Sequence, residues 1–208
     1  MERSDAELVD ALRAGDEETF RVLVREWEAS LLRVAQIFVP SRAIAEEVVQ
    51  ETWLRVLRAL DRFEGRSSLK TWVFRILVNT AKTRAQRERR VIPFSSLQDP
   101  ARVPEAAVDA DRFLPDDDEH YPGAWASPPR ELPEERLLAS ETRVRIAEAI
   151  DSLPASQRAV ITLRDVQGWR SEEVCNALDI TEVNQRVLLH RARAKVRSAL
   201  EDYLNAGD

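Results

Sequence analysis

The distribution of proline is the feature that most constrains how this chain can fold. Seven of its ten prolines fall between residues 99 and 136, and the 208 residues include only five glycines. On both sides of this segment, apolar residues recur three and four positions apart, which is the spacing of helices with one buried face. The segment itself is rich in Pro, Asp, Ala and Glu and cannot bury enough apolar surface to offset ordering. We therefore expect an all-α protein of two helical domains, residues 1–92 and 137–208, joined by a flexible acidic linker at 93–136.

The net charge of −6 at pH 7 conceals two basic patches. Residues 99–136 contain eleven acidic and four basic residues, which gives this segment a charge of −7. Outside it, residues 69–90 carry seven basic residues and one acidic residue, and residues 186–197 carry five basic residues and no acidic one. Because local rather than mean charge sets the affinity for phosphates, both patches are candidates for binding nucleic acid.

Composition also argues against several classes of protein. No apolar run approaches the roughly 20 residues that span a bilayer, and the first residues lack a signal-peptide pattern, so we expect a cytoplasmic protein without membrane insertion. The single cysteine, Cys175, cannot form an internal disulfide, and two histidines beside it are too few for a structural zinc site. We find no metal-ligand cluster, phosphate-binding loop or nucleophile elbow. We therefore expect no enzymatic activity, no cofactor and no metal.

The stretch from residue 63 to residue 90 carries the first basic patch. Ser67 or Ser68 can cap a helix after a short loop at Gly65. An apolar stripe on this helix comprises Leu69, Trp72, Val73, Ile76, Leu77 and Ala81. Lysines and arginines occupy its other positions, with Trp72, Phe74 and Asn79 among them. Cations for phosphates, rings for stacking and an amide for base edges are what single-stranded nucleic acid requires. The alternative is a solvated basic face, with Trp72 in the core.

The helices before this stretch follow from their caps. Ser4 and Glu7 form a capping-box pattern, Asp16 can cap a second helix, and Ser41 a third. The apolar stripe of the third helix comprises Val49, Trp53, Val56, Leu57 and Leu60. The opposite face is charged and carries Glu46, Glu47, Gln50, Glu51 and Arg55. Such a face is either solvated or a surface that binds another protein.

The C-terminal part has the pattern of a helix-turn-helix. Val144, Ala147, Ile150 and Leu153 indicate one helix, and residues 155–166 a second. Ser171 is then expected to cap a short helix, residues 179–181 to form a tight turn, and Thr181 to cap a long basic helix. The first turn of such a helix enters the major groove, so the expected base readers are Glu182, Asn184, Gln185 and Arg186. Phosphate contacts or solvated side chains are expected further along, at Arg191, Arg193, Lys195 and Arg197, and His190 is either a DNA contact or a surface residue.

Three segments together resemble the sigma factors of bacterial RNA polymerase, in the extracytoplasmic-function (ECF) group of the sigma-70 family. They are AEEVVQETWLRVLRAL at 45–60, FEGRSSLKTWVFRILVNTAKTR at 63–84, and IDSLPASQRAVITLRDVQGWRSEEVCNALDITEVNQRVLLHRARAKVR at 150–197. The resemblance covers nearly the whole chain and is weak only in the linker. It implies a sigma region 2 bundle in residues 1–92 and a sigma region 4 helix-turn-helix in residues 137–208.

The resemblance also implies partners and roles. The charged face at Glu46, Glu47, Gln50, Glu51 and Arg55 would dock on the clamp helices of the largest subunit of core RNA polymerase. The minus-ten element of promoter DNA would be captured and melted by Phe63, Arg66, Ser67, Ser68, Lys70, Trp72, Arg75, Asn79, Lys82 and Arg84. The minus-thirty-five element would be read by Ser171, Thr181, Glu182, Asn184, Gln185, Arg186, His190, Arg191 and Arg193. Family members are often held inactive by an anti-sigma factor, so such a partner is also expected.

The sequence departs from the family at the start of the recognition helix. The commonest pattern there is a Pro, a small hydrophobic residue and a Gly, whereas this chain has TEVN at 181–184. The fold should survive this change, but base preferences cannot be transferred. Two other functions remain open on the residues alone. One is a helix-turn-helix regulator that acts without polymerase, which would have no reason to contain the block at 45–90. The other is a helical adaptor that binds only proteins.

Overall fold

The computed structural model describes residues 4–87 and 137–205, and every regular element in these two ranges is helical. The linker expected at 93–136 lies outside the described residues. The eight α-helices are α1 (Asp5–Arg13), α2 (Glu17–Phe38), α3 (Arg42–Ala59), α4 (Leu69–Arg87), α5 (Leu137–Asp151), α6 (Ala155–Ile161), α7 (Ser171–Leu178) and α8 (Glu182–Asn205). A 3₁₀ turn (Leu60–Arg62) follows α3, and a π-helical turn (Thr162–Val166) continues α6. We call residues 4–87 the N-terminal unit and residues 137–205 the C-terminal unit.

The predicted helix starts are confirmed at five caps, one of which, Ser68 at the start of α4, is described with the site below. The backbone N–H of Glu7 donates to Ser4 Oγ at 3.3 Å, and Glu7 Oε2 accepts from the Ser4 N–H at 2.7 Å, which completes the capping box. Asp16 accepts from the first turn of α2, Ser41 from the first turn of α3, and Thr181 from the first turn of α8. Each cap satisfies amide groups that the helix itself leaves without an acceptor.

The expected cap at Ser171 is wrong. Arg170 is the N-cap residue of α7, with extended backbone, and its N–H donates to Glu173 Oε2 at 2.8 Å. Ser171 is the first residue of the helix, and its hydroxyl donates to Gln185 Oε1 at 3.0 Å. The serine therefore joins α7 to α8.

The N-terminal unit packs α2, α3 and α4 around an apolar core. Leu31, Val48 and Leu69 are buried in it, one from each helix. The Trp53 ring lies edge-on to Phe20, with centroids 5.4 Å apart, and is stacked on Trp27 at 6.1 Å. This core orients α3 and α4, which carry two of the three predicted binding surfaces.

The C-terminal unit contains the predicted helix-turn-helix. α7 ends at Leu178, α8 begins at Glu182, and the three residues between them form the turn. Asp179 has φ +59°, in the left-handed region, and its N–H donates to the Cys175 carbonyl. Asp and Asn adopt this conformation more readily than other non-glycine residues, so the turn needs no glycine. Cys175 is half-buried beside it, and burial raises the pKa of its thiol.

The two units pack directly against each other, with α4 on α7 and α2 on α6, and their buried residues form one continuous core. Phe74 on α4 is fully buried against Trp169 before α7, with ring centroids 4.7 Å apart. Arg158 on α6 donates to the Ile37 carbonyl at 3.0 Å, at the end of α2. The expectation that Phe74 lies on the exposed cationic face is therefore wrong, because the C-terminal unit covers that side of α4.

Two apolar stripes also differ from expectation. Apolar periodicity places Leu57 on the buried side of α3, but its side chain is 44% exposed. It also places Val144 on the buried side of α5, but that side chain is 56% exposed. On the part of α5 whose burial is described, residues 141–151, Ala149 is buried in the core. In both helices the buried face is rotated from the expected stripe, since Ala45, Val48 and Thr52 are buried on α3 and Ala149 is buried on α5. The positions of the neighbouring helices, and not periodicity alone, set which side is covered.

Candidate nucleic-acid interface

The loop between α3 and α4 and the first turns of α4 enclose a cavity of about 420 Å³. Ser68 caps α4, with its Oγ 3.1 Å from the backbone nitrogen of Thr71. Gly65 has φ +71°, a conformation that glycine adopts without strain, and this permits the loop to turn back toward the helix. Charged, polar and aromatic side chains line the cavity. They are Arg62, Phe63, Glu64, Arg66, Ser67, Thr71, Trp72, Arg75 and Asn176. The loop therefore forms one wall of a pocket and α4 forms another.

Two aromatic rings meet at this pocket. The rings of Phe63 and Trp72 have centroids 5.0 Å apart and are tilted by 53°. Both side chains are half-buried, since they pack against the core and also line the cavity. Trp72 therefore packs against the core and also presents part of its ring to the cavity. Such a pair offers an apolar surface on which an unpaired base can stack.

The C-terminal unit contacts several of the predicted DNA-binding cations on α4. Arg75 donates to Asp179 Oδ1 at 3.1 Å, and Lys82 Nζ lies 3.4 Å from the Leu178 carbonyl oxygen. Lys70 Nζ lies 5.4 Å from the centroid of the Trp169 ring. Burial lowers the pKa of Lys82, and the nearby charge of Asp179 partly opposes this shift. In this arrangement one side of α4 serves as a contact between the two units.

Two other predicted residues of α4 lie elsewhere. Asn79 is exposed, one turn beyond Arg75, and it is outside the cavity lining. Arg84 donates to Glu47 Oε2 on α3 at 2.7 Å. This ion pair connects a residue predicted to bind DNA with one predicted to bind polymerase, so the two surfaces adjoin.

The charged face of α3 is exposed as expected at Glu46, Glu47, Gln50 and Arg55, while Glu51 is half-buried. Arg55 forms an ion pair with Glu51 at 2.6 Å, and Arg42 forms one with Glu46 at 2.9 Å. The same region of the helix also exposes two apolar side chains, Leu54 at 54% and Leu57 at 44%. Sequence reasoning missed these leucines because it assigned Leu57 to the core and gave Leu54 no role. An apolar pair with a charged rim is typical of a protein-binding surface.

The first turn of α8 separates the predicted base readers into exposed and buried residues. Thr181, Glu182 and Arg186 are exposed, and Arg186 forms an ion pair with Glu182 at 2.7 Å. Gln185 is only 2% exposed, because its side chain lies between α7 and α8 and accepts the bond from Ser171. Gln185 therefore cannot present its side chain to a base in this conformation, whereas Ser171 is half-buried and stays a prediction.

An additional residue occupies the exposed face of α8. Val183 is 68% exposed. It shares its face with Arg186 and His190, which follow at the i+3 and i+7 positions. Sequence reasoning assigned no role to Val183, although an apolar residue at this position can contact the methyl group of thymine.

The remaining basic residues of α8 divide in the same way. Arg191 is partly exposed, whereas Arg193 forms a two-point ion pair with Asp165 of the π-helical turn, at 2.8 and 2.9 Å. Arg197 is buried, at 4% exposure, so a phosphate contact from its side chain is excluded in this conformation. Asn184 and His190 are half-buried at the edge of the exposed face.

A metal-binding cluster and a membrane-spanning helix are both absent from the described residues. No cluster of three or more His, Cys, Asp or Glu side chains there could hold a metal ion. Among the same residues, no helix is long and apolar enough to cross a membrane.

Comparisons with known proteins agree on one family. The family model for Sigma-70 region 2 matches residues 23–91, and that for Sigma-70, region 4 matches residues 143–196. The ECF RNA polymerase sigma-E factor of Escherichia coli K12 is 31% identical over 198 residues, which are 95% of each chain. The RNA polymerase sigma-H factor of Pseudomonas aeruginosa is 29% identical over 203 residues, 98% of this chain and 97% of that protein.

Two solved structures share the fold. CnrH, in complex with the cytosolic domain of CnrY, aligns with a TM-score of 0.59 at 21% identity, over 96% of this chain and 99% of that chain. The sigma factor RpoE of Bartonella quintana, in complex with the anti-sigma factor NepR, aligns with a TM-score of 0.53 at 21% identity, over 88% and 96%.

Proposed function

Because this chain belongs to the ECF group of sigma-70 factors, we propose specific roles for three of its surfaces in promoter recognition. A sigma factor binds core RNA polymerase and directs initiation at particular promoters. The proposed roles are polymerase docking on α3, capture of the minus-ten element at α4 and its preceding loop, and reading of the minus-thirty-five element by α8.

The observation that carries the proposal is the cavity beside Phe63 and Trp72. It combines two rings with the guanidinium groups of Arg62, Arg66 and Arg75 at one site. A base that leaves the duplex loses its stacking partners, and an aromatic pocket restores part of that free energy. Arginines around the rim offer positive charge to the phosphates on either side of the base. The cavity is therefore suited to one unpaired base of the minus-ten element.

Asn79, Lys82 and Arg84 would act further along the captured strand. Asn79 is exposed and can offer an amide to a base edge, whereas Lys82 and Arg84 would hold phosphates. Arg75 and Lys82 both face the C-terminal unit in this conformation. We propose that α7 must move away from α4 before the strand can occupy its full path.

On α3, we propose that Leu54 and Leu57 add an apolar centre to the surface made by Glu46, Glu47, Gln50, Glu51 and Arg55. Burial of the exposed parts of these two leucines would add a hydrophobic contribution to the free energy of docking. The charged residues around them would set orientation and partner choice.

On α8, the proposed readers are Glu182, Val183, Asn184 and Arg186, with Thr181 as the helix cap. Arg186 would pair with guanine after releasing Glu182. His190 and Arg191 would lie toward the DNA backbone.

Control by an anti-sigma factor is a further proposal. The Bartonella quintana RpoE was solved with the anti-sigma factor NepR. This chain has the same fold, and a protein that held α4 against α7 would keep Arg75 and Lys82 from DNA.

The test is run-off transcription with purified core RNA polymerase on a library of promoter fragments, with and without this protein. We expect transcripts from defined start sites only when the protein is present. The recovered promoters should share two elements, spaced for α4 and α8. Absence of stimulation, together with no binding to core polymerase in gel filtration, would overturn the proposal in favour of a regulator that acts without polymerase.

A further inference from the structure

The loop between α3 and α4 forms one wall of the cavity beside Phe63 and Trp72, which we call the base cavity. Helix α1 contacts the other side of this loop. One terminal nitrogen of Arg13 lies 3.0 Å from the Phe63 carbonyl oxygen and 3.2 Å from the Leu60 carbonyl oxygen. Its other terminal nitrogen lies 3.9 Å from Asp10, one turn earlier in α1. A guanidinium has several donors in a fixed plane, so one side chain can hold two successive turns of backbone. Arg13 therefore fixes the point at which the chain leaves α3 and enters the loop.

The other end of the loop is fixed by a second residue of α1. Asp5 Oδ2 accepts from the backbone N–H of Leu69, the first residue of α4, at 2.9 Å. A carboxylate at this position accepts from a free amide and also interacts favourably with the positive end of the helix dipole. Asp5 is 64 positions away in the chain, so this contact exists only because α1 lies against the loop.

Cavities on the two sides of the loop show that it is a thin wall. The base cavity lies on one side, and a second cavity of about 580 Å³ lies between the loop and α1. Phe63, Glu64 and Ser67 line both cavities. Apart from Phe63, whose ring packs against Trp72, the loop has open space on each side, so its two anchored ends contribute much to its shape.

We infer that Arg13 and Asp5 are positioning residues for recognition of the unpaired minus-ten base. They act through the backbone at residues 60–63 and 69, and they hold Phe63 and Ser67 in place against Trp72. This inference rests on the proposed function of the cavity. It assigns to α1 a part in base selectivity, which its own sequence does not indicate.

The test measures base discrimination and not activity alone. A promoter selected by the wild-type chain in the run-off experiment is made in four versions that differ only at the base assigned to the cavity. Transcription by core polymerase with each variant gives a ratio between the best and the worst base. We expect Arg13→Ala to lower this ratio about tenfold, since the interaction removed is a hydrogen bond from a charged group. Asp5→Ala should lower the ratio in the same direction.

Conservative variants and a matched control separate positioning from stability. Asp5→Asn keeps an acceptor oxygen and should restore most of the ratio, and Arg13→Lys should restore part of it. The control is Arg21→Ala, which removes an exposed arginine whose ion pair with Glu18 is local to α2, and its ratio should equal that of the wild type. Thermal unfolding of each variant identifies any that fails to fold, in which case the conservative variants supply the result.

Two outcomes would overturn the inference. If Arg13→Ala and Asp5→Ala weaken transcription equally from all four promoters, α1 supports the fold but does not position the loop between α3 and α4. If the wild-type chain itself starts no promoter-specific transcript, the proposed function fails, and this inference fails with it.

Discussion

The two predicted DNA-binding helices differ in how much of their surface is free. On α4, Phe74 is fully buried by the C-terminal unit, and Arg75 contacts Asp179 in the turn before α8. On α8, the first turn exposes Val183 at 68%, and its neighbours Glu182 and Arg186 are also exposed. The C-terminal unit therefore partly covers α4, whereas α8 exposes its predicted reading face to solvent.

Recognition of the minus-ten and minus-thirty-five elements should therefore depend differently on the packing of the two units. The contact over α4 combines a buried ring pair with exposed ionic contacts. Burial of aromatic rings contributes several kcal/mol, whereas exposed ion pairs contribute about 1 kcal/mol or less. The ring pair should therefore decide whether the contact forms, and the ionic contacts should adjust how readily it opens.

The largest effect is expected from Trp169→Ala, which removes the ring that covers Phe74. Trp169 is 4% exposed, and its loss should cost about 3–5 kcal/mol of unfolding free energy. Because the ring joins the two units, the chain should also become more extended. Denaturant unfolding and small-angle X-ray scattering measure the two effects. The matched control is Val183→Ala, which should change stability by less than about 0.5 kcal/mol. An unchanged radius of gyration would show that this contact does not hold the units together.

The open face of α8 can be tested with two adjacent residues. Gln185→Ala should cost about 1–3 kcal/mol of stability, because Gln185 is buried and accepts the bond from Ser171. Arg186→Ala should leave stability unchanged and lose about 1–3 kcal/mol of preference at one base pair. Chemical unfolding and binding to a panel of minus-thirty-five duplexes distinguish these effects. The division between buried and exposed readers would be wrong if both variants altered base preference without loss of stability.

A smaller effect is expected from Asp179→Asn. Asparagine tolerates the left-handed backbone of this turn, so the change removes the ion pair with Arg75 and the attraction of the carboxylate for Lys82 while the turn is kept. Since both side chains are more than half exposed, the gain in affinity for a single-stranded minus-ten oligonucleotide should correspond to about 1 kcal/mol or less. The control is Asp165→Asn, which breaks the ion pair with Arg193 inside the C-terminal unit. Fluorescence anisotropy at low and high salt measures both, and the gain should disappear at high salt.

The smallest effect is a pH dependence from Lys82. Burial lowers the pKa of Lys82 in the folded chain below its usual value of 10.5, so the unfolded chain binds this proton more tightly. The contribution of Lys82 to stability is therefore fully present above 10.5 and is lost as pH falls through the lowered pKa. Lys82→Met, which keeps an unbranched apolar side chain, should exceed the wild type in stability at neutral pH, and the difference should shrink as pH rises toward 10.5. A difference that stays constant across this window would exclude the titration of Lys82 as its cause.

Much of the fold could be predicted because it rests on local chemistry. The capping box at Ser4, the caps at Asp16 and Ser41, and the turn at 179–181 all depend on residues within a few positions of each other. The candidate site could be predicted in part for the same reason. The sequence placed Phe63 and Trp72 on either side of a loop, and the structure brings their rings to 5.0 Å.

The errors about which side chains are buried share one physical cause. Helical periodicity identifies an apolar side of a helix, but it does not state which neighbouring helix covers each side, or how widely. Phe74 was assigned to a DNA-binding face and is covered by Trp169, while Gln185 was assigned to base reading and is covered by α7. Periodicity places Leu57 in the core, but its side chain is 44% exposed.

Local residue patterns predicted the helices of the described ranges, the helix-turn-helix and the basic character of α4, because caps, turns and periodicity act over short distances. Only the tertiary structure decided that α7 lies against α4, that Val183 is exposed while Gln185 is buried, and that Arg13 and Asp5 hold the loop before α4. These contacts join residues far apart in the chain. They depend on the shape and polarity of whole surfaces, so they cannot be predicted from a local pattern of residues.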